Sequence, residues 1–254
     1  MKKLPRPPRW FRILVLLFLL LPFLPLLYSF LPFVLEQGYL ASAFQKLFAK
    51  TELLDSLLRS LKIALLSSSI ALCVAALSAW RVEKHHDKFV TFTLTLSMAL
   101  PEIVLGLSLL LTFSIIGLQL GTLTVALAHA SFTYAFATIV IRSHSQNLNP
   151  KIFEAAKDLG ANSFQSLIRI TIPLFTTSLL SAFLLCMTLS LDDYLISAFT
   201  TGAGQDTLPM RIYGLLRYGF GPELKAISLI LFIVSLTVVI IGLPLSFKKK
   251  SSGS

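Results

Sequence analysis

Six long apolar blocks separated by short polar stretches set the pattern of this chain. They run over about 13–35, 61–80, 89–118, 122–141, 174–199 and 226–245. Within each block the apolar residues neither keep to one face of a 3.6-residue period nor alternate. Twenty residues rise about 30 Å as a helix, the thickness of a bilayer's hydrocarbon core. Lipid offers the backbone no hydrogen-bond partner, so each block is expected to be helical. The fold class expected is an all-α polytopic membrane protein with six transmembrane helices.

The first block, Ile13 to Leu35, carries Pro22, Pro25 and Pro32, which predict kinks. Its basic start and the small residues Ala41–Ala43 resemble a signal peptide. The apolar run is too long for one and the small residues lie too far beyond it, so the helix is expected to stay. The next segment contains "FQKLFAKTELLDSLLRSL", which reads as a short amphipathic helix at the membrane interface.

Composition agrees with lipid. The chain has 254 residues, 55% hydrophobic and 13% charged, with a mean hydropathy of +0.80. A soluble domain has about a quarter of its residues charged. The net charge of +10 raises nucleic acid as a partner, but the placement of the charges argues against it. With the N-terminus in the cytoplasm, fifteen of the 22 Lys and Arg fall on inner segments and seven on outer ones. That bias places both termini inside, where basic residues meet anionic lipid. The domain reading is a cytoplasmic segment 1–12, one transmembrane domain 13–247 and a cytoplasmic tail 248–254. Cys73 and Cys186 lie in apolar blocks and read as small buried hydrophobes. His85, His86, His129 and His144 lack metal-ligand spacing. No GxxxxGK[ST] loop occurs, so no cofactor or metal is expected in this chain.

One stretch interrupts the apolar pattern on the inner side, "EAAKDLGANSFQSLIRITIP", Glu154 to Pro173. Pro150 can open a helix. "KIFEAAKDL" is good helix-forming sequence, and Gly160 is a natural stop because glycine takes left-handed angles cheaply. Asn162 or Ser163 can cap a second helix, which is expected to end before Pro173. The prediction is a helix–turn–helix hairpin over 150–173, with small Ala155 and Ala156 open to close approach.

This stretch resembles the cytoplasmic loop of bacterial ABC-importer permeases: E-A-A, three residues, G, nine residues, I-x-L-P. Glu154, Ala155, Ala156, Gly160, Ile170 and Pro173 fall in register, and Ile172 stands where the pattern has leucine. The resemblance implies the binding-protein-dependent transport (MetI-like) permease fold. It implies that Glu154, Ala155, Ala156 and Gly160 form a coupling helix gripped by a separate ATPase homodimer, which binds the ATP and Mg. It also implies a second homologous permease subunit and a soluble binding protein, in the bacterial inner membrane.

Three acidic residues fall inside apolar blocks: Glu102, Asp192 and Asp193. A charge there costs about 3 kcal/mol on insertion scales, so it usually faces a polar cavity or a partner. Glu102 follows Pro101, which is expected to break the third block. Its carboxylate reads either as hydrogen-bonded to backbone at that break or as part of a cation path. The adjacent aspartates read either as a hydrated interfacial pair or as lining, and about 100° between neighbours lets at most one share a cavity with Glu102. Tyr194 adds an aromatic face, which attracts ammonium groups. His129 reads as a buried structural histidine.

"LPEIVLGLSLLLTF", "LSLDDYLISAFTTG" and "LPMRIYGLLRYGFGPELKAIS" look like the second permease subunit of spermidine/putrescine importers. That resemblance implies polyamine cargo passing Glu102, Asp192, Asp193 and Tyr194, with Glu102 where the motif commonly has aspartate. Other cargoes stay open at this point: an opine, thiamine, iron or a phosphonate. An intramembrane aspartyl protease is disfavoured, because Asp193-Tyr194 reverses the Tyr-Asp order and Gly202 to Asp206 has one residue too many.

Overall fold

The computed structural model describes residues 10–11, 14–15, 18, 21, 23–36, 38–49, 51–85, 88–145, 151–217, 219 and 221–247. Most of the expected leading segment, Pro150 and the tail from Lys248 lie outside these residues. Among the described residues every regular element is helical. Two compact units divide the chain: residues 1–51 with 219–234, and residues 52–218 with 235–254.

The first unit holds α1 (Phe23–Leu35) and α2 (Tyr39–Ala49). Gly38, at φ 80°, turns the chain between them. Aromatic rings make its contacts: Phe33 meets Tyr39 edge-on at 5.5 Å and Phe30 meets Phe232 at 5.6 Å. The Lys225 ammonium sits 5.4 Å from the Tyr39 ring centre, a cation–π distance.

The second unit holds α3 (Thr51–His85), α4 (Lys88–Ala99), α5 (Glu102–Ile115), α6 (Thr122–Ser145), α7 (Lys151–Asp158), α8 (Ser163–Ser166), α9 (Ile172–Asp192), α10 (Leu195–Thr200) and α11 (Leu208–Leu216). A last helix, α12 (Pro222–Phe247), is divided between the units. Helix α6 is central. Ala130 and Ala137 on α6 pack with Ala71 and Ala75 on α3 and with Ala182 and Cys186 on α9. Small residues let these backbones come close, the usual means of helix association in lipid. Cys186 is buried as expected, whereas Cys73 is exposed.

Among the described residues three stretches are long and apolar enough to cross a membrane, 51–78, 122–144 and 168–192. The α4–α5 pair, bent by 114°, makes a fourth if it counts as one broken span. Pro101 therefore breaks the third block, as expected. Connections that the charge count puts on one side do meet at one end of this unit. Thr122 donates to Gln205 Oε1 from its backbone N–H and its hydroxyl, at 3.0 and 3.1 Å. The Leu208 N–H donates to Ser60 Oγ at 2.8 Å. Arg59 Nη1 donates to the Gly204 and Asp206 carbonyls at 3.3 and 3.1 Å. At the opposite end His144 Nε2 donates to the Leu174 carbonyl at 3.2 Å.

Three boundaries differ from the sequence expectation. The amphipathic segment is not one interfacial helix. Helix α2 ends at Ala49, and the second half of the segment opens α3 from Thr51, where Leu53, Ser56 and Ser60 are buried. The fifth block is not continuous, because α9 ends at Asp192 and α10 starts at Leu195. The second arm of the hairpin does not stop before Pro173. A π turn over Leu167–Thr171 widens the spiral ahead of the proline, whose ring needs room and whose nitrogen donates nothing, and α9 continues it.

Two glycines test this packing. A Cβ on Gly202 would collide with the Leu120 backbone carbonyl, whereas one on Gly214 would meet nothing within 4 Å. Gly202→Ala is expected to cost about 1–3 kcal/mol. Gly214→Ala, inside helix α11, is expected to gain about 0.5–1 kcal/mol. Melting of the purified complex in detergent reads both.

Candidate functional site

Two interrupted helices organise the site. The short helices beyond the breaks, α5 and α10, pack closely. A Cβ on Gly106 would lie 2.8 Å from Phe199 Cδ2 and 3.4 Å from Ile196 Cα, so only glycine admits this approach without a shift. Further along, Gly202 abuts Leu120 and Gln205 binds Thr122. Chain order increases together on both sides, so α5 and α10 run parallel. Their N-terminal ends, carrying Glu102 on one and Asp192, Asp193 and Tyr194 on the other, therefore share one end of the pair. Each is a positive helix end that favours carboxylates. Glu102 and Asp192 are exposed. His129, opposite the second break, lies seven residues into α6, about 10 Å from its start. The break thus sits within the apolar length of the bundle.

The break between α9 and α10 is held from inside. Asp193 has extended backbone, φ −70° and ψ 124°, and its side chain is 3% exposed. Its carboxylate accepts the Ile196 N–H at 3.3 Å and the Ser197 N–H at 2.8 Å, two donors that open α10 and have no partner within that helix. His129 Nε2 lies 3.0 Å from Asp193 Oδ2 and 3.0 Å from Ser197 Oγ. A carboxylate only accepts, so Nε2 carries the hydrogen. On the far side of the ring, Ser190 Oγ lies 2.7 Å from Nδ1 and accepts from Ser67 Oγ at 3.0 Å. Donation runs one way, from Ser67 on α3 through Ser190 on α9 and His129 on α6 to Asp193. The order Ser–His–Asp is that of a hydrolase relay. Here Ser190 is 4% exposed and His129 1%, so the relay ties helices together inside the core.

Tyr194 points elsewhere. Its ring stacks on Tyr213 of α11 with centroids 4.4 Å apart and planes 17° from parallel. Tyr213 is 58% exposed. Close by in sequence, Arg211 pairs with Glu52 at 3.1 Å and Asp206 at 3.2 Å.

The hairpin forms from its own local signals. Helix α7 ends at Gly160, φ 78°, in a six-to-one closure: the Ala161 N–H donates to the Ala156 carbonyl at 3.0 Å. The next helix is capped by Asn162, not Ser163. Asn162 Oδ1 accepts the Gln165 N–H at 2.8 Å, and Gln165 Oε1 accepts the Asn162 N–H at 3.1 Å, a reciprocal capping box. Glu154, Ala155 and Gly160 are exposed and Ala156 is buried. Leu159, at the bend, is 88% exposed.

Comparison with known proteins decides the family. A family model described as the binding-protein-dependent transport system inner membrane component matches residues 71–249. The spermidine/putrescine transport system permease protein PotC of Escherichia coli K12 is 33% identical over 207 residues, 80% of this chain and 78% of PotC. The chain belongs to this transport family. It is a permease, a transport subunit and not an enzyme. The putrescine transport system permease protein PotI of the same organism is 38% identical over 143 residues, 54% of this chain and 51% of PotI. A solved bacterial ABC transporter that imports the acidic polysaccharide alginate shares the permease fold. It has a TM-score of 0.69 at 19% identity, covering 98% of this chain and 100% of that one.

In this permease Glu102 and Asp192 come to one end of the packed half-helices, while Asp193 turns into the core. His129 is buried, as the sequence reading has it. Ser67, Ser190, Ser197 and Tyr213 were not singled out from sequence. Positions 190, 193 and 197 are spaced by three and four, which would place them on one helical face. Asp193→Asn keeps the size but turns one acceptor into a donor facing N–H groups. It is expected to destabilise the permease by about 3 kcal/mol, whereas Asp192→Asn leaves stability within about 0.5 kcal/mol. Thermal unfolding of the two purified variants checks the contrast.

Proposed function

We propose that this permease forms half of the translocation path of an ATP-driven polyamine importer in a bacterial inner membrane. The observation that carries the reading is the pair of exposed carboxylates, Glu102 and Asp192, at the shared end of two packed half-helices. A polyamine is a flexible chain of ammonium groups, and carboxylates and aromatic faces attract such groups. The likeness to PotC supports the same cargo, spermidine and putrescine.

In this reading the chain crosses the membrane six times with both ends in the cytoplasm. It pairs with a second homologous permease and receives cargo from a soluble polyamine-binding protein on the outer face. The hairpin docks on an ATPase homodimer, which holds the ATP and Mg. Exposed Leu159 and Ala155 give that contact an apolar surface, and Glu154 a charge at the start of α7. Glu154, Ala155, Ala156 and Gly160 are the coupling residues, and Glu102, Asp192 and Tyr194 face the path. Asp193, also an expected path residue, serves the path from behind.

Uptake of labelled spermidine, putrescine and an uncharged diol of similar length by proteoliposomes holding the whole complex tests the cargo. The two polyamines are expected to enter and the diol to stay out, and equal uptake of the diol would overturn the reading. Asp192→Asn is expected to lower spermidine uptake about tenfold with the ATPase still bound. Proline cannot take the left-handed angles of residue 160. Gly160→Pro is therefore expected to leave ATP hydrolysis running while uptake falls to background, and normal uptake would remove the coupling role.

A further inference from the structure

The two aspartates at the second break are neighbours in sequence and opposites in environment. Asp193 is 3% exposed on its side chain and accepts from three donors. Asp192, one residue earlier, is exposed. A backbone free to rotate at this break could present either carboxylate outward. Two of the donors to Asp193 belong to α10 itself, and the third is His129, which donates at 3.0 Å from a different helix and ties the carboxylate to the core. Its ring cannot swing, because Ser190 holds the opposite nitrogen at 2.7 Å and is itself held by Ser67 at 3.0 Å. Phe132, one turn along α6, meets the ring edge-on at 6.1 Å.

We infer that His129 is a positioning residue for transport: by clamping Asp193 into the core it fixes Asp192 and Tyr194 on the path side of the break. His129 itself does not touch cargo. Ser190 and Ser67 set the ring's orientation, and the carboxylate of Asp193 transmits it to the backbone. The Tyr194–Tyr213 stack depends on the same fixing, since Tyr194 follows Asp193 directly. This inference rests on the proposed polyamine path, and its test separates the two.

The test measures spermidine uptake by the reconstituted complex, with KM and maximal rate taken apart and ATPase association recorded for every variant. His129→Leu removes the contacts of both ring nitrogens, to Asp193, Ser197 and Ser190, and is expected to raise KM about tenfold with the maximal rate changed less than threefold. In an Asp192→Asn, Tyr194→Ala background the same substitution is expected to change KM less than twofold, because both groups it positions are gone. A full tenfold effect in both backgrounds would mean a general structural role and would overturn the inference. If Asp192→Asn alone leaves uptake unchanged, the cation-path reading fails, and the positioning role fails with it.

A second pair of variants covers the case in which His129→Leu does not assemble. His129→Gln places an amide donor near the former Nε2 and still reaches Asp193, whereas His129→Asn reaches only towards Ser190. The glutamine variant is expected within about threefold of the parent KM, and the asparagine variant about tenfold above it. Equal KM values for the two would overturn the role of the Asp193 contact.

Discussion

Every departure from a continuous helix in an apolar bundle leaves backbone N–H groups without partners, and no water stands ready to replace them. That constraint decides where this chain can break. At Asp193 the break is made possible by a carboxylate folding back onto the first free donors of α10, with His129 supplying the hydrogen bond that completes the site. A buried charge without those partners would cost several kcal/mol. With them it is a fixed corner. The Pro101 break is of another kind: proline has no N–H of its own to satisfy, its ψ of 136° turns the chain, and its carbonyl accepts the Leu105 N–H at 3.0 Å to start the next helix.

These two solutions explain why part of the architecture was legible from sequence and part was not. Apolar runs located the long helices, because burial in lipid is a property of composition. Pro101 announced its own break. Gly160 and Asn162 announced the hairpin, since a left-handed turn and a capping side chain act within a few residues of themselves. The break at Asp193 carries only half of such a signal: an aspartate can cap the helix that follows it, but the His129 contact that holds it in the core comes from 64 residues earlier, on another helix, and an Asp-Asp pair in a run of apolar residues reads equally well as two carboxylates in one environment. Pro173 misled for the opposite reason. Its local rule says stop, and a π turn just ahead of it removes the clash on which that rule depends.

Packing within the second unit follows a division by residue size. Alanines line the seam of α3, α6 and α9, where long helices lie close. Larger side chains, Phe113, Phe132 and Ile196, fill the space around the half-helices α5 and α10. Gly106 and Ala128 are small residues on that side, and Gly106 lets α10 press against α5. The polar network from Ser67 to Asp193 bridges the two regions, so the tightly packed seam also fixes the position of the second break.

Because the π turn carries the chain past Pro173, residues 163 to 192 form one unbroken rod from the hairpin to the aspartates. At about 1.5 Å per residue it is roughly 45 Å long. Its helical spiral is continuous from end to end, and its one change of pitch is the π turn at 167–171, so a displacement at Asn162 and a displacement at Asp192 are joined through that turn.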